Sequence, residues 1–229
     1  LIAHVLTDLG ETAKAGGNIG MPVLEGEALG KGGIHVLELS SYQTELLRDL
    51  SPEIAVFLNL TPDHLDRHGD MSGYLAAKAR LMDAVIDSGV QILGIDQEPT
   101  AALAATLDAE ERTVVLTVGD NGQITIDDGG FTTPDGSRLE LAGTTALRGR
   151  HNAQNAAAAF AAAAALGHGT DAILAAIRSF PGLRHRQEIV ATIDGVTFIN
   201  DTKATNAEAA ATALSAFDNI HWIAGGRMK

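Results

Sequence analysis

The chain has 229 residues, 45% of them hydrophobic, which is enough to fill one large domain core or one and a half ordinary ones. It has no cysteine, which excludes disulfides and thiol chemistry and fits a reducing compartment, and no run of about 18 apolar residues that would indicate a membrane span. The net charge of −13 argues against general nucleic-acid binding.

The charge is unevenly distributed along the chain. Residues 1–146 carry 8 Lys and Arg against 23 Asp and Glu, whereas residues 147–229 carry 8 against 6. This difference is consistent with a solvated acidic face in the first part, or with a later segment that handles anionic groups.

The first elements are a helix and a glycine-rich stretch. Apolar residues at helical spacing predict a helix over residues 1–9, closed by Gly10. The chain starts inside this helix without an N-cap, so we expect that a preceding segment was removed. Residues 16–20 (GGNIG) predict a flexible loop that a ligand can approach closely, with a plain turn as the alternative.

Two apolar runs, residues 34–39 and 54–60, do not alternate with polar residues, which is typical of strands buried on both faces of a parallel sheet. Each run ends in a polar cluster, and ligands of open α/β sheets bind beyond the carboxyl ends of strands. We therefore expect one crevice lined by polar side chains from both clusters. These side chains are Glu38, Ser40, Asn59, Asp63 and His64.

His64 and His68 are four residues apart and could share a helix face as metal ligands, although solvated or capping histidines are commoner. An amphipathic helix is predicted over residues 72–86, with Ser72 or Asp70 as its cap.

The middle of the chain alternates strands with helices, which favours a mostly parallel, doubly wound α/β sheet. The predicted elements are a helix at 42–50, a strand at 91–96, a helix at 99–107 and a strand at 112–118. Residues 123–141 contain Asp-Gly turns between short alternating runs, which predicts hairpins at the sheet edge.

A basic loop (147–151) precedes an alanine-rich helix predicted over residues 152–166, and a further helix is predicted over 171–179. Pro181-Gly182 then marks a turn and a candidate domain boundary. We expect one domain over residues 1–182 and the start of a second over 183–229.

The second segment begins with strands predicted over 188–193 and 196–200, joined by a turn at Asp194-Gly195. A helix at 207–216 and a strand at 220–224 follow, and the strand leads into Gly-Gly and basic residues, a pattern suited to binding phosphate.

Eight of these stretches, in order and at similar spacing, resemble the Mur ligase family. They are GGNIG (16–20), LELSSYQ (37–43), NLTPDHLDRH (59–68), AAK (76–78), RHNAQNAAAA (150–159), FPGLRHR (180–186), NDTKATN (200–206) and GGRMK (225–229). The LSSYQ and DTKATN forms favour the member of the family that adds D-glutamate over its siblings.

The resemblance implies a central ATPase domain followed by the beginning of a Rossmann-like carboxyl-terminal domain. Two features depart from the family. The Gly-Lys-Ser/Thr phosphate loop is missing and should precede Leu1, and Met228 stands where an acidic residue is usual. Gly30-Lys31-Gly32 lacks the spacing and hydroxyl of a phosphate loop. We therefore expect this stretch alone to be inactive and its parent protein to be a ligase.

The implied activity is amide-bond formation in cytoplasmic peptidoglycan precursor synthesis in a bacterium. ATP and Mg²⁺, with a second Mg²⁺ or Mn²⁺ conceivable, would activate a carboxylate of UDP-N-acetylmuramoyl-L-alanine as an acyl phosphate, and D-glutamate would attack it. The resemblance implies a monomer that neither binds nucleic acid nor inserts into membranes.

The resemblance also assigns roles to individual residues. The implied metal ligands are Glu38, His64 and, if carbamylated, Lys78, while Lys78, His64 and Lys203 are the implied catalytic residues. The implied nucleotide contacts are Asn18, Asn155, Arg186, Asp201 and Lys229. The implied substrate contacts are Ser40, His185 and Thr205.

Three other interpretations stay open at this point. The chain could come from a sibling or a folylpolyglutamate-type ligase with the same central domain, or it could be a non-catalytic nucleotide-binding segment. A metal-dependent phosphohydrolase built on Asp63, His64 and His68 is also conceivable, but it leaves LSSYQ, DTKATN and GGRMK unexplained.

Overall fold

The computed structural model describes residues 1–20, 22–26, 28–142, 144 and 146–225. The helices are α1 (Ile2–Asp8), α2 (Ser41–Glu45), α3 (Leu65–His68), α4 (Met71–Asp83), α5 (Glu98–Ala109), α6 (Arg150–Ala165), α7 (Thr170–Arg178) and α8 (Ala207–Leu214). The strands are β1 (Ala13–Gly17), β2 (Ile34–Glu38), β3 (Ile54–Phe57), β4 (Val90–Gly94), β5 (Val114–Gly119), β6 (Ile124–Ile126), β7 (Gly130–Thr132), β8 (Arg138–Glu140), β9 (Glu188–Ile193) and β10 (Val196–Asn200), and a 3-10 turn covers Val23–Glu25.

The main sheet has the order β3-β4-β5-β6-β7-β8. Strands β3 to β6 pair in parallel, and β7 and β8 add an antiparallel edge. The mostly parallel α/β fold and the hairpins at its edge are therefore confirmed. Helices α4 and α5 pack on one face of this sheet and α6 on the other, so the sheet is doubly wound.

Strand β1 was not predicted, and it forms a separate parallel pair with β2. The prediction of a loop over residues 16–20 is wrong for Gly16 and Gly17, which pair with Leu37 and Glu38. The sequence AKAGG carries little strand propensity, so a parallel partner far along the chain decides its conformation. The loop begins only at Asn18.

Alanine-rich α6 forms the centre of the larger core. Its alanines from Ala156 to Ala163 are buried, and the helix contacts α1, α7 and strands β4 to β7. Small side chains let the helix lie close to the sheet, and Phe131 and Phe160 fill the remaining space with ring centroids 5.7 Å apart. The helix starts two residues earlier than predicted, at Arg150, so the last two of the five residues of the expected basic loop are helical.

Two predicted elements have different boundaries, and one short helix was not predicted. Helix α2 ends at Glu45 rather than residue 50, and the Leu47 carbonyl accepts a hydrogen bond from Arg80 of α4 at 2.9 Å. Strand β3 ends at Phe57 rather than residue 60, and the Leu60 N–H donates to the Gln97 side chain at 2.6 Å instead of to a neighbouring strand. Helix α3 was missed because a single turn is too short to show periodicity.

The segment after Pro181 forms an antiparallel hairpin of β9 and β10, followed by α8. The predicted strand over 220–224 is wrong, because no described strand lies beside it to form a ladder. This segment touches the first one through Arg148, whose guanidinium lies 5.6 Å from the centroid of the Phe217 ring. In the described residues, no helix has both the length and the apolar character to cross a membrane.

Candidate functional site

Helix α2 begins directly after β2, and Ser40 caps it. The Ser40 hydroxyl accepts a hydrogen bond from the Gln43 backbone N–H at 3.4 Å, and the Gln43 side-chain oxygen accepts one from the Ser40 N–H at 2.9 Å. This reciprocal capping box fixes the turn that follows Glu38. Ser40 therefore has a local structural role, whatever else it contacts.

The turn after β3 holds His64 in the left-handed region, with φ of 53°. A non-glycine residue is uncommon there, and such strain is concentrated at ligand sites. Asp63 supports the turn: one of its carboxylate oxygens accepts the His64 N–H at 3.0 Å, and the other lies 3.6 Å from His64 Nε2. The imidazole also meets the edge of the Tyr42 ring, with centroids 5.1 Å apart.

Lys78 of α4 lies near acidic residues that end β2 and follow β3. Its amine lies 5.2 Å from the centroid of the Tyr74 ring and 6.0 Å from that of Phe57. Burial lowers the pKa of Lys78, while the negative charges of Glu38 and Asp63 raise it and offset part of that effect. The structure thus brings an amine with a lowered pKa together with carboxylates from two predicted clusters.

His68 bridges α2 and α4. Its Nε2 lies 3.0 Å from the Ser41 hydroxyl, and its ring stacks on Tyr74 with centroids 5.3 Å apart. The engaged Nε2 favours a supporting role over the metal pair with His64 that the spacing allowed. In the part of the chain that the structure describes, no group of three or more His, Cys, Asp or Glu is arranged to hold a metal ion.

Removal of the His68 ring is expected to destabilise the chain. A stacked pair and a hydrogen bond each contribute about 0.5 to 1.5 kcal/mol, so we expect His68→Ala to lower the free energy of unfolding by about 1 to 3 kcal/mol. His68→Phe keeps the stacking and should lose only about half as much. Urea unfolding of both variants measures the difference, with exposed Asp66→Ala of the same helix as the control. Equal stabilities of the Ala and Phe variants would contradict the stacking role.

Asn59 follows β3 and contacts α6. Its side-chain amide donates to Gln154 of α6 at 2.7 Å, so it joins the end of β3 to that helix. Sequence reasoning missed Gln154, which is 4% exposed. A polar residue within a buried alanine run was the signal, because a buried amide needs a partner.

Asn155 lies one turn into α6, and its amide donates to the Asn152 side-chain oxygen at 3.3 Å. Asn18 follows β1, and its backbone N–H donates to the Glu38 carbonyl at 2.8 Å, so this residue does approach the end of β2.

The predicted residues of the second segment lie around the turn before β9. Asp201 accepts the Gln187 N–H at 3.0 Å, and the Lys203 N–H donates to the His185 carbonyl at 3.0 Å. His185 Nδ1 lies 2.8 Å from the Asn200 amide. The charges of Arg186 and Asp201 both act on His151 of α6, which brings them near the helix that carries Asn155. Thr205 follows on the same loop, and the predicted contact Lys229 lies outside the described residues.

These features define an α/β protein whose polar site lies beyond the carboxyl ends of parallel strands, the usual place for a ligand in this class. Residues 1–163 match the Mur ligase middle domain. The chain therefore belongs to the Mur ligase family.

Whole-chain similarity narrows the comparison. The UDP-N-acetylmuramoylalanine–D-glutamate ligase of Rhodospirillum rubrum is 46% identical over 242 aligned residues, which cover all of this chain and 50% of the relative. The enzyme of the same name from Dinoroseobacter shibae is 47% identical over 240, covering all of this chain and 52% of the relative. The chain thus spans about half the length of the curated relatives it matches.

Solved structures agree on the fold. MurF from Acinetobacter baumannii superposes with a TM-score of 0.74 at 22% identity, over 94% of this chain and 50% of the other. The MurF ligase from Thermotoga maritima, solved in complex with ADP, also gives 0.74, at 18% identity over 94% and 52%. At these identities the two structures bear on the fold alone.

Proposed function

We propose that the complete gene product containing this chain is an ATP-dependent ligase that joins D-glutamate to UDP-N-acetylmuramoyl-L-alanine. The observation that carries the proposal is identity of 46 and 47% along the whole chain to two enzymes named for D-glutamate ligation. We place the reaction in cytoplasmic peptidoglycan precursor synthesis, carried out by a monomer. Residues 1–182 would form the central domain and 183–229 the beginning of the next.

The residues around Lys78 are suited to the metal such a reaction needs. Glu38 and Asp63 both act on the Lys78 amine, and Mg²⁺ commonly takes one or two protein carboxylates and fills its remaining positions with water and phosphate. Glu38 and His64 would hold the ion, and a carbamate on Lys78 would add oxygen ligands. The ion would supply positive charge that offsets repulsion between a nucleotide and a substrate carboxylate.

The nucleotide would lie between α6 and the segment after Pro181. Asn155 would contact the base, Arg186, Asp201 and Lys229 would contact the rest of the nucleotide, and Asn18 would lie near its phosphates. The net charge of +2 over residues 147–229, against −15 over residues 1–146, supports the contacts from Arg186 and Lys229, because phosphates favour the less acidic segment.

The remaining residues would serve the acceptor and the incoming amine. Ser40 would lie near the acyl group, with Lys203, Thr205 and His185 near D-glutamate and the transferred phosphate. The carboxylate of the alanyl group takes the terminal phosphoryl of ATP and ADP leaves. The neutral amine of D-glutamate then attacks the acyl carbon, phosphate departs, and the amine loses a proton. The protein would form no covalent bond to the substrates in these steps. It would position ATP, the carboxylate and the amine and offset their charges.

The experiment that tests this function is an assay of phosphate release from ATP by the complete gene product. We expect turnover that requires both UDP-N-acetylmuramoyl-L-alanine and D-glutamate, with L-glutamate as the matched control. Turnover with another amino acid in place of D-glutamate would reassign the protein to a sibling activity. The molar mass measured by light scattering in solution would test whether the protein is a monomer.

A further inference from the structure

The buried side chain of Gln187 meets the half-buried side chain of His151 where α6 contacts the segment before β9. Nε2 of Gln187 lies 3.1 Å from Nε2 of His151, in the first turn of α6. Gln187 is 8% exposed and belongs to none of the groups assigned above. The contact joins the two segments that the proposed nucleotide would bridge.

The hydrogen bonds around His151 determine where its proton lies. The side-chain amide nitrogen of Asn152 donates to the Arg148 carbonyl at 2.8 Å, which fixes the orientation of that amide, and the same nitrogen lies 3.0 Å from His151 Nε2. An amide nitrogen only donates, so His151 Nε2 must be the unprotonated acceptor and Nδ1 must carry the proton. Gln187 must then present its own NH₂ group to His151.

The electrostatic surroundings agree with a neutral His151. Burial is the main cause that lowers the pKa of His151, and the positive charge of Arg186 lowers it further, whereas Asp201 acts in the opposite direction. A neutral imidazole can accept an amide hydrogen bond at the single lone pair of Nε2, which the Asn152 and Gln187 amides share, and an imidazolium could accept neither.

The backbone of Gln187 holds the other side of the contact. Its N–H donates to Asp201 at 3.0 Å, and its φ of 46° is uncommon for a residue with a side chain. His185, two residues earlier, is also left-handed, with φ of 65°, and its carbonyl accepts the Lys203 N–H. One residue therefore connects Asp201 and its loop to the first turn of α6.

The Gln187 amide is a poor source of stability. Among the described residues its Oε1 is buried and has no hydrogen-bond partner. A buried unpaired acceptor is unfavourable, and an apolar group of the same shape can be neutral or stabilising in its place. Left-handed backbone adds a further cost. These two unfavourable features indicate that the contact between Gln187 and His151 positions the two segments rather than stabilising the fold.

We propose that Gln187 is a positioning residue that holds the first turn of α6, and with it Asn155, in register with Arg186 and Asp201. The inference rests on the proposed nucleotide site between these elements. It predicts that loss of the amide weakens nucleotide binding without weakening the fold.

Gln187→Met tests this in the complete gene product, because Met keeps the length of the side chain and removes both polar atoms. We expect the KM for ATP and the Kd for ADP to rise about tenfold, a typical loss for one positioning contact, while kcat stays within about threefold. Stability toward urea should be unchanged or higher. Thr197→Met, on an exposed position of the same hairpin, should leave all of these values unchanged.

Gln187→Glu provides a pH readout that a purely structural role would not give. The carboxylate would raise the pKa of His151, so an ion pair would replace the amide contact at low pH. At high pH the neutral imidazole could donate to the carboxylate only by moving its proton to Nε2, which would break the hydrogen bond from Asn152. We expect the KM for ATP of this variant to rise between pH 6 and 8 more steeply than that of the wild type. Nitrogen-15 spectra of labelled histidine, with the signal assigned by its loss in His151→Gln, should report the Nδ1–H form in the wild type and imidazolium in the variant.

The outcomes separate this inference from the proposed function. A wild-type protein that binds no adenine nucleotide would refute the proposed function. A wild type that binds ADP, together with a Gln187→Met variant of unchanged affinity, would refute the positioning role alone. An Nε2–H tautomer of His151 in the wild type would also refute it.

Discussion

Gly17→Ala is expected to destabilise the chain strongly and to disturb the candidate site. A Cβ atom at this position would lie 2.3 Å from the Glu38 carbonyl oxygen and 3.2 Å from the Glu38 nitrogen, and the φ of Gly17 is +100°. Both neighbouring atoms belong to the backbone of the parallel partner strand, so neither can move alone. Backbone strain of about 1 to 2 kcal/mol and overpacking of about 1 to 3 kcal/mol together predict a loss of about 2 to 5 kcal/mol.

The same carbonyl oxygen accepts the Asn18 N–H at 2.8 Å. A methyl group that displaces it would shift both Asn18 and Glu38, so in the complete gene product we expect ligation to fall roughly a hundredfold, since small misplacements of site groups have costs of that order. Urea unfolding of the chain measures stability, and phosphate release measures activity.

Gly10→Ala separates strain from contact. Its φ of +92° is similar, but a Cβ atom there would meet nothing within 4 Å. It should therefore lose only the backbone term, about 1 to 2 kcal/mol, and leave activity intact. If the two alanine variants were equally stable, the close approach of β1 to β2 would have no energetic weight.

Local patterns in the sequence identified the elements whose signal lies within them. The two apolar runs are strands, although neither is buried on both faces as predicted, since no residue of β2 is fully buried and only alternate residues of β3 are. The Asp-Gly turns of residues 123–141 join hairpins, because tight turns have a strict residue preference. The repeated alternation of strands and helices was sufficient for the fold class.

Nonlocal partners determined what the sequence could not. β1 has a weak strand sequence and depends on pairing with β2, and residues 220–224 have a strong strand sequence without a neighbouring strand in the described part of the chain. Strand propensity mostly measures how well side chains fit neighbouring strands. It therefore failed to predict β1 and wrongly predicted a strand over residues 220–224.

The same limit applies to the site. The polar residues after two strands predict one shared crevice, and the charges of Glu38 and Asp63 both raise the pKa of Lys78. The supports that orient the site were not visible: His68 reaches Ser41, 27 positions away, and Gln154 reaches Asn59, 95 positions away. Side-chain hydrogen bonds over such separations follow from the folded topology rather than from spacing.

In the complete gene product, Lys78→Met is expected to abolish most of the proposed ligation activity without unfolding the protein. The charges of Glu38 and Asp63 both act on the Lys78 amine, and an unbranched Met side chain fills nearly the same space against Tyr74 and Phe57. Loss of a charged or metal-ligating group at the reacting centre predicts a fall of roughly a hundredfold to a thousandfold in kcat. Stability should be unchanged or higher, because a partly buried amine is replaced by an apolar group.

Lys78→Arg separates the two roles that this lysine could have. Arginine keeps the positive charge, but its guanidinium stays protonated and cannot become a carbamate. If Lys78 supplies metal-ligating oxygens as proposed, the Arg variant should be as inactive as the Met variant in assays of phosphate release. A variant that retains more than about a tenth of wild-type kcat, a difference of about 1.4 kcal/mol in activation free energy, would mean that Lys78 acts as a simple cation. The metal would then have to be held by Glu38 and His64 without a third ligand from α4.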